Sequence, residues 1–281
     1  MYLDFYGFQE KPFTLTPNPR FVYLSRNHRE VLAHLLYGIE DGCGFIAITG
    51  EVGTGKTTVL RALLEDLDND RHRLAFIFNP SVSALDLLRA IQREFAIEGP
   101  AAEAGDLLHL LNEFLLRQRR EGRTVVLVID EAQHLDPAVL EQIRLLSNLE
   151  TQTDKLIQIV LVGQPELGAL LRRRTMRQLN QRICVRYHLG TMDLKDTCEY
   201  VRHRLRVAGG DEEIFTPAAL RKIYRFSGGL PRLINLACGR ALLLGYAREQ
   251  RMITAKMADQ AIGELSEPGQ RGWRRLCFWR W

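Results

Sequence analysis

Gly50-Glu51-Val52-Gly53-Thr54-Gly55-Lys56-Thr57, followed by Thr58, fits the spacing G-x-x-x-x-G-K-[ST] in full. Glycines let backbone N–H groups curl around an anion without side-chain clash, and the start of a helix adds partial positive charge. Lys56 at this place reaches β- and γ-phosphates, and the Thr57 hydroxyl can ligate Mg²⁺. Downstream, the apolar run Val125 to Ile129 delivers Asp130 and Glu131 at a strand end, where open α/β sheets bind ligands. One carboxylate of such a pair holds hydrated Mg²⁺, and the other orients and deprotonates an attacking water. Alone, each motif has a blander reading: a chance glycine-rich turn, or a strand-ending acid that caps a helix. Together they point to a triphosphate site built from Gly50 to Thr58, with Thr57 and Asp130 on the metal and Glu131 as general base. The run Asp130-Glu131-Ala132-Gln133-His134 has a superficial helicase look, but a helicase of that class needs a second nucleotide-fold lobe.

The elements that must position these residues can be read from periodicity. Short apolar runs at 44–49, 74–78, 125–129 and 157–162, with a shorter one at 183–189, read as buried strands. Helical spacing fills 59–67, 84–95 and 106–120, and Asp136-Pro137 opens a further helix through Leu145. Strands that alternate with helices and run as continuous apolar blocks imply a parallel sheet covered on both faces. Beyond about residue 192 only helices follow, over 194–207, 217–226, 231–247 and 255–265. The expected fold is α/β: a parallel-sheet P-loop domain (41–192) and a small all-helical lid (193–265). An N-terminal arm (1–40) and a basic-aromatic tail (266–281) flank them.

The chain has 281 residues, 46% hydrophobic and 26% charged, which excludes disordered and low-complexity classes. It contains no run of about 18 apolar residues of the kind that spans a bilayer. The opening Met1-Tyr2-Leu3-Asp4-Phe5 does not read as a signal peptide. Five dispersed cysteines, with no Cys-x-x-Cys pair, read as idle thiols in a reducing compartment. His188 and His203 lack partners at metal-ligand spacing. The net charge of +4 is mild, although arginines cluster at 172–174 and 202–206 and in the tail. Tryptophan interleaved with arginine over 273–281 suits an anionic membrane surface.

With Phe5-Tyr6-Gly7-Phe8, Pro12-Phe13, Pro17-Asn18-Pro19-Arg20, Tyr23-Leu24-Ser25, His28-Arg29-Glu30 and Gly163-Gln164-Pro165-Glu166-Leu167 added to the two motifs, the chain resembles the AAA+ ATPases. Within them it is similar to the general secretion pathway protein A (ExeA-type) ATPases of Gram-negative bacteria, over roughly residues 1 to 265. Those proteins typically add a transmembrane helix and a periplasmic peptidoglycan-binding domain. This sequence stops at Trp281, so peptidoglycan binding is not carried over.

The resemblance implies that Gln164 is a sensor of γ-phosphate and water. It implies that Arg182 is an arginine finger, with Arg172, Arg173, Arg174 and Arg177 as competitors, and that Arg232 is a second sensor. The aromatic residues Phe5, Tyr6, Phe8 and Phe13 are expected to pack on the nucleotide domain, with Tyr23 and His28 near the adenine. The implied protein is an ATPase using ATP and Mg²⁺ at interfaces of a homo-oligomeric ring. It would remodel a type II secretion or related pilus or exopolysaccharide complex, with an inner-membrane partner, from the cytoplasmic face of the inner membrane. The alternative is a DNA-associated AAA+ ATPase of the transposon target-selection or replication-loader type. Against it, residues 193–265 leave no room for an added winged helix. A nucleotide-dependent scaffold that barely hydrolyses is the third reading, opposed by the pair Asp130 and Glu131.

Overall fold

The computed structural model describes residues 2–16, 18–68, 70–78, 83–99, 103–151 and 154–265, so the expected membrane-facing tail lies outside the described residues. Along the chain run α1 (Tyr2–Tyr6), α2 (Arg26–Glu40), β1 (Phe45–Gly50), α3 (Lys56–Asp66), β2 (His72–Ile77), α4 (Ala84–Glu94) and α5 (Ala104–Arg120). Next come β3 (Thr124–Ile129), α6 (Pro137–Leu146), β4 (Gln158–Gly163), α7 (Pro165–Leu171), α8 (Arg177–Arg182) and β5 (Ile183–Leu189). The last four are α9 (Leu194–Val207), α10 (Pro217–Ser227), α11 (Pro231–Ala247) and α12 (Ala255–Leu265). Among the described residues no helix is long and apolar enough to cross a membrane. The chain divides into two units: His28–Gly190, and Met1–Asn27 together with Thr191–Trp281.

The first unit is built on one all-parallel sheet in the order β2-β3-β4-β1-β5. Alternate residues point to opposite faces. Phe45, Ala47, Leu127, Ile129, Ile159 and Leu161 join a core with Leu87, Leu111, Ile143, Leu171 and Leu179 from α4 to α8. The intervening Ile46, Ile48, Val126, Val128, Val160 and Val162 are also buried, as burial on both faces requires. Register then fixes where the strands end. Thr49 lies beside Gly163 and Ile129 beside Leu161, so the residues following β1, β3 and β4 emerge at one edge. The phosphate loop, the acidic pair and Gln164 share that edge.

The structure departs from the sequence reading in its first forty residues. Positions 26–40 form a helix whose Val31, Leu35 and Ile39 are buried, and most of it belongs to the sheet unit. Residues 1–27 belong with the helical unit instead. Tyr6, Phe8 and Phe21 enter that unit's core beside Tyr200, Leu205, Phe215 and Ala241, with Phe5 and Phe13 packed against it. The expected packing on the nucleotide domain is therefore corrected. The aromatic arm thus supplies part of the core that the four helices share. The Tyr6 hydroxyl donates to the carbonyls of Leu242 and Gln250, and burial pushes its pKa up to about 12.

Candidate functional site

The loop after β1 is shaped by its glycines. Gly53 and Gly55 hold φ of +82° and +101°, a left-handed conformation that disfavours any Cβ. At Gly55 a Cβ would also meet Nε2 of His28 at 2.5 Å. That imidazole, 2% exposed, hydrogen-bonds the Thr54 carbonyl at 2.8 Å and props the loop from beneath. The resemblance implies a place near the adenine for His28, and its ring is buried against the phosphate loop.

Lys56 opens α3 and is itself buried. Its ammonium donates to the carbonyls of Gly50 at 2.8 Å and Glu51 at 3.1 Å. Burial pulls its pKa below the usual range, and the charges of Glu131, Asp130, Glu51 and Glu166 partly oppose that shift. Asp130 is buried as well, and burial pushes its carboxyl up. It accepts the Glu131 N–H at 2.8 Å and hydrogen-bonds the Thr57 side chain. The two residues expected to hold the metal are therefore already partners.

Glu131 adopts φ +52° and ψ +35°, a strained conformation for a side chain of this size. Its Oε2 accepts from Nε2 of Gln133 at 2.5 Å and from Nε2 of Gln164 at 3.2 Å. Burial pushes the Glu131 pKa up, but these two bonds and the charges of Lys56 and His134 carry it below the usual carboxylate range. The Gln133 Oε1 in turn accepts the backbone N–H of Gln164 at 3.0 Å. Gln133 thus joins the acid after β3 to Gln164, the residue after β4. Only the run Asp-Glu-Ala-Gln hinted at it in the sequence.

The remaining expected residues lie elsewhere. Arg182 ends α8, and its Nη1 donates to the Ser147 hydroxyl at 2.6 Å. Ile183 pairs with Phe45 while Leu189 pairs with Gly50, so Arg182 sits at the opposite end of β1 from its own phosphate loop. One strand length, roughly 17 Å, separates the two ends. Arg172, Arg173, Arg174 and Arg177 are exposed around α7 and α8. Arg232 is exposed in the first turn of α11, within the helical unit. In that same unit the Tyr23 hydroxyl donates to Glu199 at 3.0 Å.

A family profile described as an AAA domain matches residues 39–171. General secretion pathway protein A of Aeromonas hydrophila is 51% identical over 267 residues, covering 95% of this chain and 49% of that protein. The chain thus spans about half the length of that curated relative. The ORC2 protein of Aeropyrum pernix superposes with a TM-score of 0.68 at 18% identity, over 92% of this chain and 72% of that one. Cdc6p of Pyrobaculum aerophilum gives 0.66 at 20%, over 89% and 71%. The RuvB Holliday junction branch migration motor of Thermotoga maritima gives 0.58 at 18%, over 88% and 74%. At such identities the structures speak for the fold, and the secretion protein speaks for the closer kinship. The chain belongs to the AAA+ P-loop family, in the group of general secretion pathway protein A.

Proposed function

We propose that this chain is a Mg²⁺-dependent ATPase whose cycle drives assembly or remodelling of a type II secretion complex, or of a related pilus or exopolysaccharide complex. The observation that carries the chemistry is the convergence of the Lys56 loop, the Thr57–Asp130 pair and the amide-held Glu131 at neighbouring strand ends. The N–H groups of Gly50 to Thr58 and the Lys56 ammonium would bind the phosphates. Thr57 and Asp130 would hold Mg²⁺, which supplies positive charge at the phosphate oxygens when bound. Glu131 takes the proton from the attacking water, and Gln164 orients that water.

Arg182 lies too far along β1 to serve its own loop, which supports a finger acting on a neighbouring subunit in a homo-oligomeric ring. Arg232, a cation in a helix first turn, gains most if an anion comes to it. The 51% identity to a secretion protein favours an inner-membrane secretion partner and a site at the inner face of that membrane. The reading as a DNA-associated ATPase has only fold-level likeness behind it.

Nucleotide-binding and steady-state assays test the reading. Lys56→Ala should abolish ATP binding, whereas Glu131→Gln should bind ATP and lose about 10²- to 10⁴-fold in rate. Full hydrolysis by Glu131→Gln would overturn the assignment. The ATP-trapped Glu131→Gln protein should co-purify with inner-membrane secretion components from native membranes. Recovery of DNA and nucleoid proteins in their place would transfer the function to the alternative.

A further inference from the structure

The Glu131 carboxylate has three rotatable bonds and a strained backbone, so its own chain does little to aim it. Two features of the fold do. The Gln133 amide lies 2.5 Å from Oε2 of Glu131, on a short helical turn (Ala132–His134) anchored by the fully buried Ala132. Space for that amide is made across the sheet edge: a Cβ on Gly163, the last residue of β4, would come within 2.6 Å of the Gln133 Oε1. The two partners fix which way the amide points, because its nitrogen must face the carboxylate and its oxygen the Gln164 N–H. Of the side chains this long, only an amide can donate to one partner and accept from the other. An ionised glutamate can only accept, and a methionine does neither effectively.

We infer that Gln133 is a positioning residue: it aims the Glu131 carboxylate and fastens it to the backbone at Gln164, so that base and water sensor are held as one assembly. This rests on the ATPase reading above. With Oε2 engaged by two amides, Oε1 is the oxygen left to take the proton from water. The Gln133 amide is engaged on its nitrogen by Glu131 and on its oxygen by the Gln164 N–H, so it acts through those two residues.

The test uses Gln133→Met, which loses both bonds, and Gln133→Glu, which keeps the acceptor towards Gln164 but sets a like charge against Glu131. Each is assayed for ATP affinity, KM and kcat, alone and in the Glu131→Gln background, with thermal melts to establish folding. Misplacing a reacting group by about 1 Å costs on the order of 10²-fold. Both variants should therefore lose about tenfold or more in kcat, with KM and ATP affinity within about twofold of wild type. In the Glu131→Gln background neither should reduce the residual rate further.

An equal loss in that background, or a parallel loss of ATP affinity, would make the role merely structural and overturn the inference. So would an undiminished or raised kcat in Gln133→Glu. If the wild-type chain hydrolyses no ATP, the ATPase reading fails by itself. The tie is then judged by the side-chain amide resonance of Gln133 in ¹⁵N NMR. A resonance that moves on Glu131→Gln supports the tie, and one indifferent to that change refutes it.

Discussion

Among the described residues each unit buries one cation, and the two are held in opposite ways. Lys56 in the sheet unit is 8% exposed and Arg204 in the helical unit 7%. Every nitrogen of Arg204 has a partner. Its guanidinium donates to the Pro12 carbonyl at 2.5 Å, the Tyr200 hydroxyl at 2.8 Å and the Thr14 carbonyl at 3.5 Å, and it lies over the rings of Phe21 and Tyr200. Tyr200 and Asn235 complete the network, with Asn235 also reaching Thr14. All these partners are neutral, and three of them belong to the N-terminal arm. Lys56 has two loop carbonyls and a surround of carboxylates, and burial leaves its charged form disfavoured. A cation with every nitrogen partnered fastens two pieces of chain together. One that is buried and poorly solvated gains when a further anion arrives, as a functional site requires.

Substituting each cation by methionine separates the two roles. Lys56→Met should weaken ATP binding by 100-fold or more, about 2.7 kcal/mol or above, because phosphate loses its charged donor. The melting temperature should stay within about 2 °C of wild type, since an apolar isostere relieves a desolvated charge. Arg204→Met should do the reverse. It strands two backbone carbonyls and a buried hydroxyl at about 1 kcal/mol or more each, so about 3 kcal/mol in total. The arm should then loosen, seen as faster amide exchange over residues 5–21, while ATP affinity in the folded fraction holds. If Lys56→Met unfolds the protein, or Arg204→Met melts like wild type, the contrast is wrong.

What the sequence made legible follows the same division. The motif Gly50 to Thr57 and the strand before Asp130 are local in sequence, so residue types alone placed Lys56, Thr57, Asp130 and Glu131 at one sheet edge. Gln133 and His28 were hidden because their partners, Gln164 and Thr54, are distant and polar, and apolar periodicity carries no signal for such pairs. The aromatic arm looked like a satellite of the larger domain because no pattern says which core it joins. Helices of six or seven residues, α7 and α8, are too short to show a period. Spacing along the chain also carried no sign that Cys43 and Cys184, both free thiols, lie side by side. The β1–β5 register slips by one between Phe45 and Ile46, leaving Cys184 as an extra residue whose Sγ lies 3.1 Å from the Cys43 carbonyl. Burial, with Cys184 beside it, pushes the Cys43 thiol up to about 11.

Subunit mixing sharpens the contrast between local and shared parts of the site. Arg182→Ala and Glu131→Gln should each be inactive alone. In randomly mixed oligomers about a quarter of interfaces pair an intact Glu131 with a neighbour's intact Arg182, so activity should recover to about that fraction. Ser147→Ala, which removes the hydroxyl holding Arg182, should lower wild-type activity by several-fold without changing ATP affinity. Mixed oligomers that stay inactive would point to Arg172, Arg173, Arg174 or Arg177.

The smallest expected effect concerns protons in the helical unit. Burial is the main cause that lowers the His203 pKa from 6.5, with Arg206 and Arg204 adding to it, while a bond to the Val22 backbone and the charge of Glu212 oppose it. Its Nε2 is buried without a partner among the described residues, and the Tyr23 ring lies 5.6 Å away. A base whose folded pKa is lowered takes up a proton more readily when unfolded, so stability is full above pH 6.5 and declines as pH falls through the window below it. One such group changes stability by at most about 1.4 kcal/mol per pH unit. The carboxylates of Glu212, Glu264 and Asp86 are held below their usual values and titrate at lower pH, and the difference between wild type and a His203 variant from pH 7 to 5.5 reads the histidine itself. Wild type should therefore lose a few degrees of melting temperature between pH 7 and 5.5, and His203→Gln should lose less. Calorimetric scans at the two pH values check this, and an equal decline in both proteins would remove His203 from the account.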